Sequence, residues 1–336
     1  MKDVARAAGV SQSTVSRILN DAPLRIPVSP GTRERVHTVA AELGYRPHPF
    51  ARALRGAPTM LLGAVVRDIT DIFFATAIEA LSIGARNRGY SVVLGHAGQR
   101  ADEALALTAV LEARQCDAIV LLGDFTDEPR LIKDLRDAAM PVVALWHGSN
   151  LDGFPTVTVD NADGIHAALS HLVELGHERI AFVGGAPLGD IRERQAAYED
   201  FLSERGLRQP ARYVQHVSNT PAGGGDAFSA LAALSKPPTA IVAATDVLAI
   251  GVVYAAHSSG LMIPRDLSVV GFDDIPLAAA TYPGLTTVRM PVAAMVSAAI
   301  ELAIGGLGGP RGLNVSRHSF QPKLVVRRST GCAPGR

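Results

Sequence analysis

The chain has little cysteine, few aromatic residues and no net charge, and each shortage excludes something. Its 336 residues include 2 cysteines, Cys116 and Cys332, which sit in no C-x-x-C pair and cannot staple a chain of this length. A disulfide-built secreted fold is thereby excluded, and the scarcity fits a reducing compartment. No run of eighteen uninterrupted apolar residues occurs. The best candidate, residues 240–256, carries Asp246 in its middle, so no membrane span is expected. The opening residues, MKDVARAAGV, lack the apolar stretch of a signal peptide. Together these point to a cytoplasmic protein. Enzyme signatures are missing too: there is no G-x-x-x-x-G-K-[ST], no H-E-x-x-H and no G-x-S-x-G. His166, His171 and His177 are spaced by five and six, which puts no two on one helix face as metal ligands, and they read as surface residues. Gly223-Gly224-Gly225 has no phosphate-loop lysine after it and reads as a flexible loop. No cofactor and no metal are expected.

Apolar residues make up 48% and charged residues 19%, ample for packed cores and unlike a disordered chain. The 32 basic and 32 acidic residues cancel, but unevenly. Residues 1–56 hold nine basic and four acidic side chains, a net +5, which leaves the remainder at −5. A basic end of this kind is either an ordinary solvated surface or an electrostatic footprint for nucleic acid.

The first 44 residues read as three helices, over 2–8, 12–20 and 32–43. Val4, Ala5 and Ala8 recur at helical spacing, Gly9 supplies a turn, and Ser11 can cap the second helix. Residues 21–31 contain Pro23, Pro27 and Pro30 and are expected not to be helical. Pro49 can open a short helix that Gly56 and Pro58 close, too short to be stable in water by itself. From Met60 onward apolar runs alternate with helical stretches. A Pro/Gly/Asn-rich stretch at 148–155 separates two such series. This predicts an α/β fold with two doubly wound lobes, a cleft between them, and ligands bound at the carboxyl ends of the strands.

An apolar helix, a glycine turn and a second helix with a polar N-terminal end form a helix-turn-helix pattern. Gln12, Ser13 and Arg17 carry side chains suited to base edges, whereas Thr14 and Ser16 suit phosphates. The other reading is a small helical cap on the larger domain.

Residues 1–20 (MKDVARAAGVSQSTVSRILN), 32–36 (TRERV), 42–47 (ELGYRP) and 51–55 (ARALR) resemble the lactose-repressor (LacI/GalR) family. So do Asp160-Asn161 and residues 171–180 (HLVELGHERI), 269–274 (VVGFDD), 285–288 (LTTV) and 324–327 (LVVR). The likeness runs through nearly the whole chain in the family's order. It implies a homodimeric repressor with a periplasmic-binding-protein-like core, which binds pseudo-palindromic operator DNA under control of a sugar-like small-molecule effector. It further implies a cytoplasmic protein, at the nucleoid when bound to operator. The implied domains are a headpiece over 1–44 and a hinge over 45–58. One effector subdomain spans 59–156 and 289–314, the other 157–288 and 315–330. Gln12, Ser13 and Arg17 match base-reading positions. Leu54 matches the hinge leucine that wedges into a base step from the minor groove, with Ala51 and Arg52 beside it in the DNA-contacting hinge. Two features depart from the family: the chain begins at Met1-Lys2-Asp3 without the residues that usually precede Lys-Asp-Val, and the 21–31 loop is about three residues longer, by comparison with the family's usual spacing. No heptad tail follows Arg327, so a tetramer through a C-terminal coiled coil is not expected.

For the effector, the family match puts Phe73 and Phe74 at the start of the first core helix, facing the ligand. Trp146 follows a strand and either packs in the core or lines the cleft. Arg194 and Asp273 offer a fork donor and an acceptor for hydroxyls. Asp190, Asp124, Thr245, Asp246 and Asp160 are further candidates. Helix capping is the favoured role for Asp246 and Asp160. Asn219 falls where the family varies. The aromatic-plus-carboxylate set favours a neutral polyol over an anion. A solute-binding protein for transport is the alternative function that the core alone would allow.

Overall fold

The computed structural model describes residues 1–19, 27–45, 58–97, 101–113, 115–125, 129–138, 140–146, 153–185, 189–308 and 316–334. The expected hinge, with Ala51, Arg52 and Leu54, lies outside the described residues apart from positions 45 and 58. The chain divides into two compact units, residues 1–61 and 62–336.

The small unit is built from α1 (Lys2–Ala8), α2 (Gln12–Leu19) and α3 (Pro30–Glu42). Gly9, at φ 64°, makes the left-handed turn out of α1. The Thr14 amide donates to the Ser11 hydroxyl at 3.1 Å, capping α2. The third helix begins two residues earlier than the prolines suggested. Pro30 sits in the first turn, where no amide donor is needed, and Ser29 accepts from the Thr32 amide at 3.2 Å. Val4, Ala5, Ala8, Val15, Ile18, Val36 and Ala40 close the core. Arg35 donates from Nε to the Ala8 carbonyl at 3.0 Å, tying α3 to the end of α1.

The large unit holds two six-stranded sheets. Its strands are β1 (Leu61–Val66), β2 (Ser91–His96), β3 (Ala118–Leu122), β4 (Val142–Leu145), β5 (Thr156–Val159), β6 (Ile180–Gly184), β7 (Val214–His216), β8 (Ala240–Ala243), β9 (Ser268–Asp273), β10 (Thr286–Arg289), β11 (Arg317–Phe320) and β12 (Lys323–Val325). The first sheet runs β11-β5-β4-β3-β1-β2 and the second β12-β10-β9-β8-β6-β7. The central strands β3, β4, β8 and β9 are buried along their whole length, as parallel strands covered on both faces must be. The helices of the first lobe are α4 (Ile72–Arg86), α5 (Ala101–Ala113), α6 (Pro129–Asp137) and, returning late in the chain, α12 (Val292–Gly305). The second lobe has α7 (Asn161–Glu174), α8 (Gly189–Glu204), α9 (Pro221–Ala232), α10 (Asp246–Ser258) and α11 (Pro276–Ala280).

Several sequence expectations need correction. Strand β5 pairs with β4, and β11 pairs with β5, so both belong to the first sheet. The lobe boundaries therefore fall near residues 160, 290 and 321 rather than at 156/157, 288/289 and 314/315. Gly223-Gly224-Gly225 is not a loop but part of α9. A Cβ on Gly224 would lie 2.2 Å from the Leu248 carbonyl oxygen and one on Gly251 would lie 2.0 Å from that of Pro221. The glycines exist so that α9 and α10 can touch backbone to backbone. His177 is not on the surface: it is 1% exposed and bonds through Nδ1 to Thr239 and through Nε2 to Ser268, both at 2.9 Å. Burial pushes its pKa down. His166 and His171 are half-buried.

Candidate functional site

Two surfaces carry chemistry. On the small unit, Gln12 and Ser13 stand exposed at the start of α2, with Thr14 and Arg17 half-exposed on the same helix. Ser16 is buried, 4% exposed, unlike the other four residues of the set. The N-terminal end of a helix, carrying amide, hydroxyl and guanidinium groups, has the form that enters a major groove.

On the large unit a cleft of about 790 Å³ opens where strands end and helices begin. Its first-lobe wall is aromatic. Phe73 and Phe74 lie in the first turn of α4, which Asp71 caps by accepting from the Phe73 amide at 3.0 Å. Trp146 follows β4 directly. Its ring lies 4.8 Å from Phe73 and 6.3 Å from Phe74, edge-on to both. The tryptophan is held at φ 58°, an uncommon conformation for a bulky residue, and its buried indole N–H finds no acceptor among the described residues. A cleft ligand with an acceptor oxygen would satisfy it.

The second-lobe wall is polar. Arg194, on α8, is 1% exposed. Its Nε donates to Asn161 at 2.8 Å and its Nη1 to the Ala244 carbonyl at 2.5 Å. The guanidinium lies 3.7 Å above the Phe272 ring. It pairs with Asp190 at 3.1 Å and Asp273 at 3.5 Å. Burial raises the pKa of both carboxyl groups, and the arginine only partly offsets it. Asp273 ends β9 at φ 119°, a second strained residue at the cleft. Asp124 lines the first-lobe side after β3, close to Arg67, whose guanidinium donates to the Asp124 carbonyl.

The remaining candidates separate. Thr245, not Asp246, caps α10, its hydroxyl accepting from the Leu248 amide at 3.3 Å. Asp246 is fully buried behind the cleft. It accepts from the Ile275 amide at 2.9 Å and the Thr287 hydroxyl at 2.5 Å, and burial pushes its pKa up to about 7. It therefore holds the turn after Asp273 and does not line the cleft. Asp160 caps α7 by accepting from the Asp163 amide at 3.0 Å, at a lobe crossing. Asn219 does line the cleft, bonded to Thr245 and Asp71. Sequence reading missed Asp71, Asn161 and Met290. An acid directly before a helix that follows a strand was the available signal for Asp71. Nothing local marks the other two.

Known proteins share this arrangement. The profile described as "Bacterial regulatory proteins, lacI family" matches residues 1–48, and "Periplasmic binding protein-like domain" matches residues 169–330. The HTH-type transcriptional regulator GalS of Salmonella typhimurium is 34% identical over 330 residues, covering 98% of this chain and 96% of GalS. The HTH-type transcriptional repressor CytR of Escherichia coli is 32% identical, covering 99% and 97%. Among solved structures, the lac repressor dimer bound to operator and the anti-inducer ONPF superposes with a TM-score of 0.85 at 26% identity, over 98% of both chains. A transcriptional regulator CelR–cellobiose complex gives 0.72 at 27% identity, again over 98% of both. These relatives are regulators, which sets aside the transport reading. Among the described residues no helix is long and apolar enough to cross a membrane. With a helix-turn-helix unit ahead of a two-lobed core, and matches along almost its whole length, the chain belongs to the lacI family of bacterial regulatory proteins and is a DNA-binding transcriptional regulator.

Proposed function

We propose that this regulator binds a pseudo-palindromic operator as a homodimer and that an uncharged sugar or related polyol in the cleft controls it. The observation that carries the effector class is the state of Arg194. Its nitrogens are already taken up by Asn161, Ala244, Asp190 and Asp273, so it has little left to offer a phosphate or carboxylate ligand. The carboxylates therefore set the polarity of the cleft, opposite an aromatic wall suited to the flat face of a pyranose. The solved CelR complex holds a sugar, cellobiose. The lac repressor relative is a dimer on operator DNA. Regulation is by binding, without turnover, and takes place at the chromosome in the cytoplasm.

Trp146 is the sole tryptophan and lines the cleft, so its fluorescence reads ligand entry directly. Titration with neutral sugars, polyols, nucleobases and sugar acids should give saturable changes and thermal stabilisation for a neutral sugar. Tighter binding of a sugar acid or sugar phosphate would overturn the class. For DNA, Gln12, Ser13 and Arg17 are the base readers and Leu54 is the wedge that enters a base step from the minor groove, with Ala51 and Arg52 as further DNA contacts of the hinge. Retardation of genomic fragments should be specific. Arg17→Ala should cost about 1–3 kcal/mol and relax one operator position. Uniform weakening over all sequences would make Arg17 a phosphate contact instead.

A further inference from the structure

Beyond the covalent crossings near residues 160, 290 and 321, the two walls of the cleft are joined by a directional chain of hydrogen bonds. It starts at the N-terminus of α10, where the Leu248 amide donates to the Thr245 hydroxyl. That hydroxyl donates its proton to Asn219 Oδ1 at 2.7 Å. The amide of Asn219 is thereby oriented, since its oxygen is used and its NH2 must point the other way. Nδ2 then donates across the cleft to Asp71 Oδ2 at 2.9 Å. The other carboxylate oxygen of Asp71 accepts from the Phe73 amide and fixes the first turn of α4, with Phe73 and Phe74 on it.

Each partner is held rigidly. Asn219 sits just before α9, whose glycines let that helix lie directly against α10. A Cβ on Gly223 would meet the Ser218 carbonyl oxygen at 2.1 Å. The Asn219 loop and Thr245 therefore move with the second lobe, and Asp71 moves with the aromatic wall of the first.

We propose that Asn219 and Asp71 are a positioning pair that holds the aromatic wall over the polar wall in the ligand-free protein, and that an effector enters by exchanging this bridge for its own hydroxyls. The proposal rests on the reading of the cleft as the effector site. The chemistry suits the exchange. A ligand hydroxyl can donate to Asp71 and accept from the Asn219 amide, so neither group is left unpaired when the bridge opens. A ligand without adjacent hydroxyls breaks the bridge and replaces only half of it.

The test uses isosteric variants of the full-length protein without ligand. Asn219→Asp sets two carboxylates face to face. Asp71→Asn sets two amide NH2 groups face to face, while the oxygen of the new amide can still cap α4. The double variant Asn219→Asp with Asp71→Asn restores a donor and an acceptor with reversed polarity. Acrylamide quenching of Trp146 reports cleft opening, and hydrogen exchange of a peptide containing the Phe73 amide reports the α4 turn. Each single variant should raise the open-to-closed ratio roughly fivefold, seen as stronger quenching and faster exchange. The double variant should return both towards wild type. Unchanged quenching in both single variants overturns the proposal. So does a double variant no closer to wild type than the singles, because the two residues would then act separately. Failure of every sugar to bind would instead count against the effector reading, with the ligand-free measurements standing on their own.

Discussion

The two lobes share a fold and divide the chemistry. Each is a six-stranded sheet with helices on both faces, and each turns the ends of its strands to the same cleft. The first contributes three mutually edge-on aromatic rings. The second contributes a buried guanidinium, its two carboxylates and, behind them, Asp246. The difference teaches where a binding protein can keep charge. A buried cation is tolerable only with its counter-ions fixed around it, and α8, β9 and the β8–α10 turn all come from one lobe. The three aromatic rings need no such counter-ions, and the charged groups on their side of the cleft, Arg67, Asp71 and Asp124, stand beside the rings.

Arg194→Ala is the severest way to break this comparison. Removing the guanidinium strips the counter-charge from the buried Asp273 and the half-buried Asp190, and should lower the stability of the core by about 3–5 kcal/mol in denaturant unfolding. A loss below about 1 kcal/mol would show the polar wall to be no more interdependent than the aromatic one.

The second-lobe charge also predicts a dependence on pH. Asp246 holds its proton up to about pH 7 in the folded protein, against an ordinary value of 3.8. The folded state therefore binds the proton more tightly than the unfolded state. Its contribution is present below about pH 4 and is lost as pH rises through 7, on the order of 4 kcal/mol in all. Asp246→Asn has no proton to lose, so unfolding midpoints at pH 5 and pH 8 should lie closer together in the variant. An unchanged difference would mean that Asp246 is ionised throughout.

Gly224→Ala tests the platform beneath the polar wall. The new Cβ meets the Leu248 carbonyl and must force α9 from α10, at a cost of about 1–3 kcal/mol. Ligand affinity should fall too, because Asn219 and Thr245 would be displaced. Loss of stability with affinity intact would separate the platform from the site.

Trp146→Phe should have the smallest effect on the fold. It removes an indole N–H that has no acceptor among the described residues, so stability should stay within about 1 kcal/mol, while affinity for the sugar found by titration should drop roughly tenfold. A large loss of stability with unchanged affinity would make Trp146 a core residue after all.

Much of this was legible in the sequence because it is local. The helix-turn-helix follows from Gly9, the Ser11 cap and apolar residues at helical spacing, and the strand–helix alternation from runs such as residues 61–66 and 118–122. Trp146, Arg194 and Asp273 were findable because in such sheets the residues just after strands, and those at the start of the helices that follow, face the cleft, whereas Phe73 and Phe74 came from the resemblance to the family. Three glycines in a row looked like a loop, because a glycine's use in helix contact depends on a helix well further on in the chain, as with Gly224 and Leu248.

What the sequence determined by itself is the kind of element most segments form, since caps, turns and hydrophobic period act within a few residues, and, through its resemblance to a family, the class of protein they build. The tertiary structure decided partnership. Strands β5 and β11 joined the first lobe because edge pairing is settled between segments some 160 residues apart in the chain, as Thr156 and Arg317 are. Asp246 became a buried support and His177 a buried hub because donors from other elements were there to satisfy them. Asn219 and Asp71, 148 residues apart, acquired a meaning only when the two lobes brought them to hydrogen-bonding distance. A polar side chain is held in place by its partners, and in this fold most partners come from elsewhere in the chain.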